Sequence, residues 1–154
     1  MRLSLLPLLL IATPLAAQEI TCPRTLPANA PGFTLVARPS PTGFPYRAAE
    51  LPPPRPFSGI SVIDGPESDV MAQAPGTLMP DTGARGRPTP PSLRQSWDIS
   101  RRSPRGYVLV CQYAGTAAVL VRALPPRARE CHQSLPVNAR GEISDNGPRS
   151  GGCR

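Results

Sequence analysis

Residues 106–124, GYVLVCQYAGTAAVLVRAL, decide the fold. Two runs rich in β-branched and aromatic residues, 106–114 and 117–124, flank Gly115-Thr116. Such runs suit a pleated, half-buried surface, and a glycine between them supplies the reversal, so the stretch predicts an antiparallel hairpin at the centre of the core. Pro125-Pro126 ends it. Working upstream, residues 93–99 alternate cleanly, with Leu93, Gln95, Trp97 and Ile99 on one face and Arg94, Ser96 and Asp98 on the other. Period two is the signature of a half-buried strand, with Trp97 inward.

Weaker strands are predicted over 19–22, 32–38, 60–64 and 130–135. Asp64-Gly65-Pro66 closes one of them with a strong turn signal. Pro66 suits the first position of a helix, with Glu67 and Asp69 near its positive end, so one short helix is predicted over 66–73. The expected fold is mostly β: a small antiparallel sheet of about five to six strands, one short helix, long Pro/Gly-rich loops and two disulfides.

The chain has 154 residues, with 23 prolines, 13 glycines and few aromatics, so its supply of core is modest. Seven prolines crowd 39–57, which reads as extended loop because proline removes donors and fixes φ. Residues 74–92 have no apolar period and read as a second loop. Residues 138–152 are Gly/Asn/Ser-rich and are expected to be pinned only by Cys153.

Residues 1–17 have the three-part layout of a secretory signal: Arg2, an apolar run over 3–11 and the small-residue stretch ATPLAA, with cleavage expected after Ala17. The run is too short for the ~20 residues of a membrane span, and no second run approaches that length. Glu19-Ile20-Thr21 before Cys22 does not fit a lipid-anchor box. The expected location is the periplasm, with 18–154 as one small domain.

All four cysteines, Cys22, Cys111, Cys131 and Cys153, follow the signal. An even count in a short exported chain reads as disulfides. Zinc ligands usually come in close pairs, and no two cysteines here are that close. Of three possible pairings, the shorter loop Cys131–Cys153 with Cys22–Cys111 is favoured, and a loop of that size contributes ~3 kcal/mol.

The net charge is +7, and every basic residue is arginine. A basic surface favours an acidic partner, an anionic membrane surface or an anionic polymer. Export argues against nucleic acid. Arg101, Arg102 and Arg105, with Tyr107 beside them, form the densest basic run and the candidate partner contact. The competing reading is a solvated approach to the hairpin.

His132 is the only histidine. Catalysis there needs an orienting carboxylate and a nucleophile, and Ser134 shares its strand face. The competing reading is an ordinary strand residue beside a disulfide. Asp64, Glu67 and Asp69 do not have EF-hand spacing and are explained by the turn and helix start. Trp97, Tyr107 and Tyr113 qualify as interface anchors by type, but Trp97 fits the core and Tyr113 is expected to pack on the Cys111 disulfide. No residues suggest a catalytic site, a metal or a cofactor.

In order, the landmarks are Cys22-Pro23, Asp64-Gly65-Pro66, Trp97, Cys111-x-Tyr113, Leu124-Pro125 and Cys131. This layout resembles a family of small uncharacterised exported proteobacterial proteins, and the resemblance covers most of the chain after the signal. It implies a periplasmic location and no catalytic residues. Some members lie beside type VI secretion genes, which implies immunity proteins that block toxins aimed at the cell wall or envelope. The expected function is therefore a non-catalytic binding module acting on another envelope protein, with contacts from the 74–92 loop and the Arg101–Tyr107 approach. The alternative is an envelope structural protein that holds anionic polymer or lipid phosphates through its arginines.

Overall fold

The computed structural model describes residues 19–37, 53–72, 75–81 and 92–154. The expected signal over 1–17, most of the proline-rich segment and residues 82–91 lie outside the described residues. Eight strands are present: β1 (Ile20–Thr21), β2 (Thr34–Ala37), β3 (Phe57–Asp64), β4 (Ser92–Asp98), β5 (Tyr107–Tyr113), β6 (Ala118–Ala123), β7 (Glu130–Pro136) and β8 (Ser150–Cys153). They form two four-stranded antiparallel sheets, β1-β8-β7-β4 and β2-β6-β5-β3. The mostly β fold with two disulfides is as expected, but the strands are more numerous and divide between two sheets. β1 and β2 fall within the strands expected over 19–22 and 32–38, whereas β8, four residues with two glycines, is too short to show a period.

The expected hairpin is β5–β6, with Val110 opposite Val121 and Cys111 opposite Leu120. Its near-continuous apolar run has a physical reason: β5 is buried on both faces. Leu109, Cys111 and Tyr113 face the core between the sheets, with Ile60, Val62 and Leu120 from the same sheet and Ile20, Trp97, Cys131 and Cys153 from the other. Val108 and Val110 face a second cluster with Ile63, Val119, Val121 and Val70. Val70 comes from the predicted helix, which is a single 3-10 turn over Glu67–Met71. That turn lays one side chain on the back of the sheet.

Cys22–Cys111 ties the segment after β1 to the middle of β5, and Cys131–Cys153 joins facing positions of β7 and β8. The favoured pairing is the one observed. The first link spans 89 residues and joins the two sheets. Its loop-closure contribution exceeds the ~3 kcal/mol of the shorter one, because the entropy of closing a loop grows with length.

Two stretches are better held than their composition suggests. Residues 75–81, expected as loop, have no regular element but are stitched to two strand edges. Leu78 donates its N–H to Val62 O at 2.8 Å and Asp81 donates its own to Ser96 O at 2.8 Å. Trp97 Nε1 donates to Leu78 O at 3.1 Å. Residues 138–152 are not pinned by Cys153 alone, because they end in β8, an inner strand of its sheet.

Candidate functional site

The β4–β5 loop (99–106) and the β6–β7 loop (124–129) meet at one end of the molecule. Sequence dictates why. β4 and β7 finish and start in register, Asp98 opposite Glu130. Ile99 and Ala128 are both buried, which pulls one residue of each loop into the core between the sheets. Ile99 N–H then donates to Arg129 O at 2.9 Å.

The 99–106 loop is braced against the corner after β3. Ser103 Oγ donates to Asp64 Oδ1 at 2.5 Å and accepts from Arg105 N at 3.1 Å. Gly65 N–H donates to Gly106 O at 3.0 Å. The Arg105 guanidinium pairs with Asp69. Tyr107 OH donates to Arg101 O at 2.7 Å. Two of the four expected contact residues, Arg105 and Tyr107, therefore have intramolecular work in holding the loop.

The other two, Arg101 and Arg102, are exposed, and neither guanidinium has a hydrogen-bond partner among the described residues. Arg101 does act on its neighbour. The Asp98 carboxyl is held below the usual carboxylate range, first by its hydrogen bonds from Ser100 and then by the positive charge of Arg101. Sequence reading missed Arg127, which is exposed on the neighbouring loop, again without a partner among the described residues. The signal for it was present: Pro125-Pro126-Arg127-Ala128-Arg129 follows a strand and must reverse near the start of the next. Arg154 at the same end pairs with Glu130 at 3.1 Å. The end thus presents three guanidiniums, Arg101, Arg102 and Arg127, that make no hydrogen bond or direct ion pair among the described residues, Arg101 acting on Asp98 only through its charge, on loops fixed by their own hydrogen bonds.

The remaining candidates have local roles. Asp64, Glu67 and Asp69 are taken by Ser103, by Ala123 N–H at 2.9 Å, and by Arg105 respectively, which accounts for all three acids. Among the described residues, no three His, Cys, Asp or Glu side chains group as metal ligands. Trp97 is buried in the core. Tyr113 is buried and packs edge-to-face on Phe57, with ring centroids 6.2 Å apart. It also donates its OH to Pro23 O at 3.2 Å, beside the Cys22–Cys111 link.

His132 lies on the outer face of the first sheet with Nε2 3.6 Å from Glu19 Oε1. Ser96 and Gly152 are its register neighbours. A hydrolytic relay engages both ring nitrogens, one with an acid and one with a nucleophile. Here Nδ1 is buried with no hydrogen-bond partner among the described residues, so those residues do not complete such a relay.

A family model described as Type VI secretion system Tli immunity protein matches residues 52–154, which runs from just before β3 through β8. A curated protein of Azospirillum brasilense, "Uncharacterized 16.3 kDa protein in trpG 5'region", is 36% identical over 149 residues, covering 93% of this chain and 90% of that protein. No solved structure matches. Among the described residues no helix is long and apolar enough to cross a membrane.

Proposed function

Since the chain belongs to the Type VI secretion system Tli immunity protein family, we propose that it neutralises its toxin by contact alone, in the periplasm, through the arginine-rich end. It is an immunity protein against a type VI secretion toxin, and two disulfides fit a protein exported to an oxidising compartment. The observation that carries the surface assignment is the set of three exposed guanidiniums, Arg101, Arg102 and Arg127, that make no hydrogen bond or direct ion pair among the described residues, on two mutually bonded loops. Guanidinium favours carboxylate in a two-pronged hydrogen bond, so the complementary surface on the toxin is acidic. A braced loop has little freedom left to lose on docking, and the opposite charges speed encounter. Blocking a toxin this way requires occupancy and no chemistry.

The test is protection. Cells that direct the toxin to their own periplasm are expected to survive with the wild-type chain and with His132→Ala. They are expected to die with the triple variant Arg101→Glu, Arg102→Glu, Arg127→Glu, once thermal melting shows that it is folded. Full protection by the folded triple variant would overturn the surface assignment, and loss of protection in a folded His132→Ala would overturn the contact-only mechanism. Binding to anionic polymer would weaken steeply with salt, whereas a shape-matched protein interface keeps most of its affinity.

A further inference from the structure

We propose that the opposite end of the sheets carries a second site, a cleft that binds the carboxylate of a small apolar N-acylated amino acid, such as the C-terminal residue of a peptide. The inference is independent of the arginine-rich end. β5 runs from Tyr107 opposite Asp64 to Tyr113 opposite Phe57, so the cleft beside Phe57 and Ala114 lies a strand's length away.

The cleft has a volume of about 340 Å³ and is lined by Arg24, Phe57, Ala114, Pro148 and Arg149 among others. That volume is at the small end of ligand pockets and admits one or two amino-acid residues, not a folded surface. Arg149 is fixed in place. Its Nη1 donates to Ser58 O at 3.0 Å, and its Nη2 donates to Ser144 O at 2.8 Å and Asp145 Oδ1 at 3.1 Å. A guanidinium has five N–H groups, so three are used and two are uncommitted.

Arg24, on the rim, is anchored by its backbone, whose carbonyl accepts from Phe57 N–H at 2.8 Å. Its exposed side chain has no partner among the described residues. Asp145, the acid at the cleft, is fully exposed and already bound to Arg149. The surplus is positive, and apart from Ser58 the rest of the lining is apolar or glycine, with Phe57, Ala114 and two prolines. One carboxylate attached to a small apolar body satisfies both features. Two arginines in the lining favour a planar carboxylate over a neutral amide, because the amide leaves donors unpaired.

The test uses the full oxidised chain, labelled with 15N and titrated with N-acetyl-alanine, its amide, and the acetylated Ala-Ala-Ala tripeptide as free acid and as amide. The acids are expected to give saturable shifts confined to Ser58, Ala114, Gly147 and Arg149, and the amides none. A response to both acids assigns recognition to the carboxylate and its terminal residue, whereas a response to the tripeptide alone assigns it to a chain terminus. Arg149 braces its loop, so Arg24→Gln is the informative variant, expected to weaken binding at least tenfold with the spectrum otherwise intact. Equal shifts from acid and amide, no saturation by about 10 mM, or loss of binding in the Arg101→Glu, Arg102→Glu variant would each overturn the proposal.

Discussion

Gln133, in the middle of β7, accepts a hydrogen bond at 2.9 Å from the backbone N–H of Ile60 in the other sheet. Gln133 is 6% exposed, a buried polar side chain, and its Nε2 reaches Gln95 Oε1 at 2.5 Å. It occupies the free edge of β3 midway between two other devices, Arg149 on Ser58 and residues 76–78 on Val62 and Asp64. An exposed row of unpaired donors invites pairing with another chain, and here the edge is closed by side chains and strap.

Replacing Gln133 by leucine keeps the bulk and strands Ile60 N–H. A buried donor without a partner costs about 1–3 kcal/mol, so the urea midpoint of Gln133→Leu is expected to fall accordingly. Gln133→Glu is expected to fare worse near neutral pH, since it buries a carboxylate opposite the Gln95 oxygen. An unchanged midpoint in both would show that the bridge between the sheets carries no net stability.

Arg105→Ala separates stability from function. The Arg105–Asp69 pair is mostly exposed on the arginine side, and such pairs contribute roughly 0–1 kcal/mol, so the melting temperature is expected to move little. The pair nevertheless helps fix the loop that carries Arg101 and Arg102. Toxin affinity is therefore expected to fall several-fold through a faster off-rate, and less than in Arg101→Glu, Arg102→Glu. Calorimetric binding beside a melting curve checks it, and a large loss of stability without loss of affinity would contradict the assignment.

The centre of the fold was legible because its signals are strong: residues 106–124 join the residue types to a glycine turn, and residues 93–99 carry the period. The family resemblance read from the Cys-Pro, Asp-Gly-Pro, Trp97 and Cys111-x-Tyr113 landmarks agrees with the family match. β8 was not legible, because Ser150-Gly151-Gly152-Cys153 has the composition of a loop. Nor was the assignment of Arg105 and Tyr107 to bracing. That depends on Asp69 and the Arg101 carbonyl standing opposite them, which no local pattern encodes.

The glycines of β8 make the case testable. A Cβ on Gly152 would sit 2.3 Å from the Ile20 carbonyl oxygen, and one on Gly151 2.8 Å from Ile60 Cγ2. β8 is a strand because its glycines let β1 and the core approach closely, where the usual rule takes glycine as weakening a strand. Gly152→Ala is expected to push β1 aside and cost about 1–3 kcal/mol, by the usual price of overpacking. Hydrogen exchange should localise the opening to Ile20 and Cys22, and protection there equal to wild type would sink the argument.

Alkaline pH tests the seam at the inter-sheet disulfide. Burial pushes the Tyr113 hydroxyl up to about 12, against about 10 in an unfolded chain. The folded state holds the proton more tightly, so this contribution to stability is fully present below about pH 10 and is lost as pH rises through about 12. Stability measured by urea between about pH 9 and 12 is expected to decline, and the decline should be shallower in Tyr113→Phe, which has no proton to lose. The variant also forgoes the bond to Pro23, so it should begin lower, and the two curves should converge as pH rises. Parallel curves would mean that Tyr113 ionises in the folded protein as readily as in the unfolded chain, and that the ring is less well sealed against Phe57 than its 4% exposure implies.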